Sequence, residues 1–422
     1  MSDRIVVVGH AAVTCLGNDL DRTWQGLVAG KSGLARHPDR LDPGCYLQDI
    51  AGLVEGVGPG TAEEDPAINR LGSRFVHFGV RAARQAWLES GLEAKLDTDL
   101  PRSRVAVVVG SGLGGMDLYH AESKRAASRK SLATGPYLLP GLIANQAAGQ
   151  VAQQLGLHGP SLCPANACAS GGHAIVFGAM LLRSGEADVA VVGATESAFT
   201  PEIVNGFVTM KALMGRKPND RSNDDPSQAS RPFSSDRAGF LMAEGAGILV
   251  LATESAVKRL GLTPLATLLG WATNSDGFHV AQPQPDRVRQ CLEAAIAHAG
   301  VHPEHIDYYN AHGTSTTIND RVETDAVRRI FGDRAATLPV SSIKGAIGHA
   351  LGAAPAIEAA VCVRALREQV VPPTVNYRPD PELDLDYVPH EGRQVRLDRI
   401  LSASFGFGGT NNALVFGRGT DA

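Results

Sequence analysis

Short runs of Val, Ile, Leu and Ala bounded by glycine recur along the chain, at 4–10 (RIVVVGH), 104–112 (RVAVVVGSG), 187–194 (ADVAVVGA), 245–253 (GAGILVLAT), 265–273 (LATLLGWAT), 306–313 (IDYYNAHG) and 338–345 (LPVSSIKG). Runs of this length without polar alternation predict strands covered on both faces. Between them, apolar residues return at helical spacing over 75–91, 167–185, 286–300 and 355–369. Strands alternating with helices of that length predict βαβ units and a mainly parallel sheet. The series runs once to residue 253 and then restarts, which divides the chain into halves of similar plan, 1–253 and 254–422. Two polar excursions, 121–140 and 210–239, read as surface loops, where binding residues tend to sit.

Composition narrows the class. At 422 residues the chain has room for two to three domains of roughly 150 residues and a large apolar core. Its 39 basic and 44 acidic side chains give a net charge of -5, so no global positive field draws it to nucleic acid or anionic lipid, and any anionic partner must meet a local patch. The cysteines Cys15, Cys45, Cys163, Cys168, Cys291 and Cys362 are scattered without CxxC or Cys/His spacing, which predicts free thiols in a reducing compartment and no metal centre. No run approaches the roughly 20 apolar residues of a membrane span. The opening MSDRIVVVGHAAVTCLG reads as a buried strand entering a turn rather than as a signal peptide, which places the protein in the cytoplasm.

Four segments carry candidate chemistry. NACASGG sets Cys168 among small residues at the start of an apolar helix, where the positive end of the helix dipole favours thiolate and a substrate can approach. His312 in YYNAHGTSTTIND and His349 in SSIKGAIGHALGAA each follow a buried strand beside glycine, the end of an α/β sheet where ligands bind. SFGFGGTNN (404–412) offers a flexible backbone around Phe407 to present N–H groups to an oxyanion; a plain Gly-rich turn is the other reading of the same residues. Taken singly, a cysteine of this kind is more often a small buried hydrophobe and a histidine a satisfied or exposed one.

Taken together and in this order, NACASGG, NAHGTSTTINDRVET, SSIKGAIGHALGAA and SFGFGGTNN, with ASRPFSSDRAGFLMAEGAGILVL (229–251), resemble the condensing enzymes of the β-ketoacyl-acyl-carrier-protein synthase II type. The resemblance implies a thiolase-like α/β fold, with two related halves in a five-layered αβαβα arrangement, the first carrying the nucleophile and the second both histidines. It implies Cys168 as acyl-accepting nucleophile, and His312 and His349 as the pair that acts on a malonyl thioester. Lys344 and Glu323 match the family's supporting ion pair, with Asp320 in the same motif. The implied reaction is a decarboxylating Claisen condensation that yields 3-oxoacyl-carrier protein in fatty-acid synthesis. A dedicated polyketide, polyene or unusual-lipid pathway is the alternative, and a noncatalytic chain-length-determining subunit is the alternative of another class. The nucleophile and both histidines, present here, argue against that last reading.

The resemblance reaches further residues. The N–H groups of Cys168 and Phe407 would form the oxyanion hole, with Phe407 gating in the loop Gly406, Gly408 and Gly409. Asp276 and His279 match a second gating loop, in which Ala281 stands where the family has Thr. Leu113 and Phe207 match acyl-pocket positions. Arg70, Arg74 and Lys211 match the surface that docks an acidic acyl carrier protein, and Lys124, Arg125, Arg129 and Lys130 supply basic charge upstream of the usual place. The partners implied are acyl carrier protein bearing acyl or malonyl thioesters and a second copy of the chain, a heterodimer with a related subunit being the alternative. No organic cofactor or catalytic metal is implied; Asn310 and Glu358 match positions that hold a structural monovalent cation in some relatives. Pro355 stands where the family tends to have Gly, so the helix after His349 is expected to bend or begin there.

Overall fold

The computed structural model describes residues 3–42, 44–61, 66–129, 133–216 and 219–419. Among them, ten strands form one continuous sheet: β1 (Ile5–Val13), β2 (Val105–Gly110), β3 (Ser161–Leu162), β4 (Val189–Glu196), β5 (Gly245–Thr253), β6 (Ala266–Ser275), β7 (Tyr308–Asn310), β8 (Val340–Ser341), β9 (Arg399–Gly406) and β10 (Thr410–Arg418). Their spatial order is β8-β7-β9-β10-β6-β1-β5-β4-β2-β3. The first five strands thus run β3-β2-β4-β5-β1 and the last five β8-β7-β9-β10-β6, the same order twice. The senses repeat as well. In each half the third, second and fourth strands pair in parallel, and the fifth returns antiparallel between the fourth and the first. The halves meet where β1 lies antiparallel to β6, from Ile5 opposite Leu268 to Val7 opposite Ala266.

The sheet is therefore mixed rather than mainly parallel. The reason is plainest at its C-terminal end, where Gly408 (φ 83°) and Gly409 (φ 72°) turn the chain so tightly that Gly406 faces Thr410, and so short a connection joins only antiparallel strands. β9 was not among the predicted strands, because Ser402 and Ser404 break its apolar run although both are buried.

Alternation along the strands builds the layers. Val105, Val107 and Val109 face a cluster with the helices α1 (Arg74–Ser90) and α2 (Gln146–Leu155), whereas Ala106 and Val108 face a different one, with α3 (Ser170–Arg183) and α6 (Ala354–Glu368). In the second half Leu401, Ala403 and Val415 face α4 (Pro285–His298) and α5 (Thr317–Phe331), while Ile400, Leu414 and Phe416 face the central pair. The result is five layers, αβαβα, with α3 and α6 buried between the two arrays. Both central helices are apolar around nearly their whole circumference, as helices packed on both sides must be. Close approach needs small residues: a Cβ on Gly171 would stand 2.8 Å from the backbone nitrogen of Ala356. Pro355 falls in the first turn of α6, so the helix begins there and does not bend.

Both excursions depart from the surface-loop expectation. Much of 121–140 is helical, in Met116–Arg129 and Leu138–Leu142. In 210–239, Ser230, Arg231, Phe233 and Ser234 are buried; Arg231 fits because Asp220 accepts from both of its terminal nitrogens and the carbonyl of Asp236 from its Nε. No helix among the described residues is long and apolar enough to cross a membrane.

Candidate active site

The central helices set the site, because each is entered through a sharp turn at the same end of the sheet arrays. Ala167 is held at φ 47°, a conformation that residues with side chains rarely adopt, and the strain is locked by Ser170, whose Oγ donates to the Ala167 carbonyl (2.8 Å) and accepts from Asn166 N–H (2.9 Å). Cys168 follows on the short turn Ala167–Ala169 that leads into α3. Its sulfur rests against the N–H groups of Phe407 and of Cys168 itself. Burial nevertheless pushes the thiol up to about 12, against the pull of the Lys344 ammonium and those two N–H groups. Burial thus favours the protonated thiol, where the sequence pattern led to the expectation of thiolate at a helix N-terminus.

His312 follows β7 and His349 precedes α6. Their rings meet edge to face, with centroids 5.4 Å apart and planes at 84°. Each is also flanked by a phenylalanine, His349 by Phe240 at 5.3 Å and His312 by Phe405 at 5.5 Å. Burial in this apolar setting, and next the charge of Lys344, hold both imidazoles well below the ordinary histidine value, so both are neutral. The Nδ1 atoms of both are buried without a partner. A lone pair tolerates that better than an N–H does, which puts the proton on Nε2 in each ring.

Three buried groups fix these rings. Glu323 accepts from the N–H groups of His312 (2.7 Å) and Gly313 (2.8 Å), and from Tyr309 Oη (2.8 Å). Lys344 donates to the carbonyl of His312 (2.6 Å) and to Glu358 on α6. Here the expected Lys344–Glu323 pair is corrected: the oxygens of Glu323 are occupied by main-chain donors and Tyr309, and Glu358, one turn into the central helix, faces the ammonium instead. Asp320 accepts from Phe233 N–H (2.8 Å) and Thr314 N–H (3.1 Å), tying the 229–251 stretch to the His312 segment. Burial raises Glu323 and Glu358 to about 7 and Asp320 to about 6.

Cys168, His312 and His349 line one cavity of about 360 Å³, together with Phe207, Phe240, Phe405, Phe407, Lys211, Asp276, His279, Ala281, Thr314 and Thr316. The two glycine-containing loops are tied together over it: Gly408 N–H donates to the Val280 carbonyl, Asp276 N–H to the Gly409 carbonyl, and Asn411 to Asp276 at 2.6 Å. His279 accepts through Nδ1 from Ala281 and Gln282 N–H, so its ring closes its own loop.

Other expected residues lie elsewhere. Leu113 does not line the cavity; it is 38% exposed on the chain surface, its N–H bonded to Glu196. Arg74, expected on the docking surface, is held inward: it forms an ion pair with the fully buried Glu244 and donates to the Val54 carbonyl. Arg70 and Lys124 are exposed, Arg125 pairs with Glu122, Arg129 closes the helix Met116–Arg129, and Lys130 lies outside the described residues. Asn310 donates to Ser402 (3.0 Å) and accepts from Tyr308 (3.2 Å), while one oxygen of Glu358 is buried without a partner. Among the described residues no group of His, Cys, Asp and Glu is arranged to hold a metal ion. Sequence reasoning missed Thr314 and Thr316, whose hydroxyls meet at 2.9 Å on the cavity wall and which stand in the same NAHGTSTT motif, and it missed Phe240, for which the sequence carries no local signal.

Comparison with known proteins places this geometry in context. Residues 2–256 match the pattern described as "Beta-ketoacyl synthase, N-terminal domain" and residues 265–378 "Beta-ketoacyl synthase, C-terminal domain". The 3-oxoacyl-[acyl-carrier-protein] synthase 2 of Coxiella burnetii is 38% identical over 98% of each chain. Among solved structures, the ishigamide ketosynthase/chain length factor superposes with a TM-score of 0.90 at 29% identity, covering 99% of this chain and all of that one. A type II PKS acyl-carrier protein in complex with its ketosynthase bound to the hexaketide gives 0.87 at 27% identity over the same shares.

Proposed function

The chain belongs to the β-ketoacyl synthase family, and from that premise we propose that it is an elongating 3-oxoacyl-[acyl-carrier-protein] synthase of thiolase-like fold, an acyltransferase in which Cys168, His312 and His349 carry the chemistry. The observation that carries the assignment of these residues is the single cavity lined by the thiol and both imidazoles, whose burial favours the neutral ring.

The steps follow from those protonation states. The Cys168 sulfur attacks the thioester carbonyl of an acyl carrier, and the oxyanion is stabilised by the N–H groups of Cys168 and Phe407. On collapse the carbon–sulfur bond to the carrier breaks, and the proton that Cys168 loses ends on the departing carrier thiol. Malonyl-carrier then enters. His312 and His349 donate from Nε2 to its thioester carbonyl while the bond to the carboxylate breaks and carbon dioxide leaves. The resulting enolate carbon attacks the acyl-cysteine carbonyl, the carbon–sulfur bond to Cys168 breaks, and the released thiolate takes one proton from solvent. Neutral imidazoles suit this role, since a donor is wanted at a site where burial opposes imidazolium.

The reaction as written needs no organic cofactor or metal. Lys344 already neutralises the Glu358 carboxylate and Asn310 is bonded to Ser402 and Tyr308, which favours a satisfied polar cluster there over a structural monovalent cation. Acyl carrier protein docks on Lys211, which lines the cavity, and on the exposed Arg70. A second copy of the chain pairs along the exposed edge strand β3, which carries the exposed apolar Leu162. Six free cysteines among the described residues favour a place in the reducing cytoplasm. Fatty-acid elongation is the first reading, on the curated relatives; the ketosynthase neighbours favour a polyketide-type pathway as the second. Offering a panel of acyl-carriers of varied length and unsaturation with malonyl-carrier, and identifying the products by mass, separates the two: saturated acyl chains elongated once per cycle support the first, and repeated unreduced condensations support the second.

A further inference from the structure

The two halves share more than strand order. In each, a residue at positive φ opens a short turn into a central helix: Ala167 (47°) before Cys168 and α3, and Leu351 (45°) before Gly352 and α6. Cys168 and Gly352 hold equivalent places, and the second must lack a side chain. A Cβ on Gly352 would lie 2.6 Å from Gly112 N, 2.7 Å from a Glu196 oxygen and 3.3 Å from the Ala167 carbonyl. The two turns therefore press on one another with Glu196 between them.

Glu196 ends β4, is wholly buried and does not line the cavity. Its Oε1 accepts from Ser111 Oγ (2.9 Å) and Leu113 N–H (3.2 Å), and its Oε2 from Gly112 N–H (2.7 Å) and Gly352 N–H (3.1 Å). All four partners are neutral donors and favour the ionised, acceptor-only carboxylate, against burial, which raises Glu196 to about 7. Three belong to the first half, and the fourth lies three residues beyond His349 in the second. His349 itself is held on its other side by main-chain bonds to Leu241 and Ala243. Its loop is thus clamped at two points, and Glu196 supplies the one that reaches back to the segment packed on the Cys168 turn.

We infer that Glu196 is a positioning residue for the condensation step: its carboxylate locks the turn after His349 onto the turn of Cys168 and so sets the ring against the sulfur. The inference deepens the function proposed above and rests on it. Acylation is less exposed to the loss, because the Cys168 turn keeps its own bonds through Ser170.

The test compares Glu196→Gln with wild type in separate assays of Cys168 acylation, followed by intact mass, and of condensation with malonyl-carrier. Glutamine retains the shape but turns an NH2 group toward N–H donors. Condensation kcat should fall about tenfold to a hundredfold, with KM for malonyl-carrier and the acylation rate within about threefold of wild type. Condensation within about twofold of wild type, or acylation and condensation falling in equal measure, would overturn the inference. If the glutamine variant is insoluble, Ser111→Ala decides, since it removes one of the four donors to Glu196, together with the local bond from Gly114 N–H: a loss of about threefold confined to condensation supports the role, and no selective loss refutes it. A wild-type protein that neither acylates nor condenses would instead refute the function on which the inference rests.

Discussion

The Lys344 ammonium donates a 2.6 Å hydrogen bond to the main-chain carbonyl of His312, and its other partner is Glu358 on the central helix that begins just beyond His349. One side chain thereby ties both histidine segments to one rigid element. Lys344→Ala should abolish condensation and, by leaving the Glu358 carboxylate buried and unpaired, cost about 3–5 kcal/mol of stability. Denaturant unfolding and turnover check both. The double variant Lys344→Met, Glu358→Gln should regain most of the stability but not the activity; recovery of both would mean the pair has no part in placing the rings.

The Cys168 thiol, raised to about 12 by burial, predicts alkylation that accelerates with pH. The iodoacetamide rate at Cys168 should rise about tenfold per pH unit between pH 7 and 9, as the thiolate fraction grows. A rate already on a plateau at pH 7 would mean that the dipole and the N–H groups, not burial, control the thiol.

His349 is held well below the ordinary value. The unfolded chain takes a proton there near pH 6.5 that the folded site refuses, so this contribution to stability is complete above that pH and declines as pH falls below it. Relative to His349→Phe, wild type should lose about 1.4 kcal/mol per pH unit below 6.5. A pH-independent difference between the two would show that the imidazole is not held neutral.

Charge reversal should separate docking from structure. Lys211→Glu, on the cavity lining, should raise KM for the acidic carrier about tenfold while leaving kcat and melting temperature nearly unchanged. Arg74→Ala should instead lower stability by about 3–5 kcal/mol, since it strips the buried Glu244 of its main partner. Equal effects of both on KM would contradict this division.

Much of this was legible in the sequence where local pattern and final environment agree. Val105–Val109 announces a strand covered on both faces, and it is one; Cys168, His312 and His349 were marked by motif and open on one cavity. What escaped was decided by distant partners. Ser402 and Ser404 hid β9 because buried hydroxyls look like loop residues until Asn310 and its neighbours are placed beside them. Arg231 made its segment look solvated, yet Asp220 and the Asp236 carbonyl let it be buried. Lys344 was assigned Glu323 because the two share the supporting motifs, whereas helix α6 brings Glu358 to the ammonium. Glu196 carried no signal, since its value lies in four donors from separate segments.

The most direct test is intact-mass analysis of the protein mixed first with acyl-carrier and then with malonyl-carrier. Wild type should gain one acyl group and lose it as 3-oxoacyl-carrier forms. Cys168→Ala should gain none, and His349→Ala should gain the group and keep it. An acyl adduct that persists on Cys168→Ala, or an adduct on His349→Ala that malonyl-carrier still discharges into product, would contradict the account.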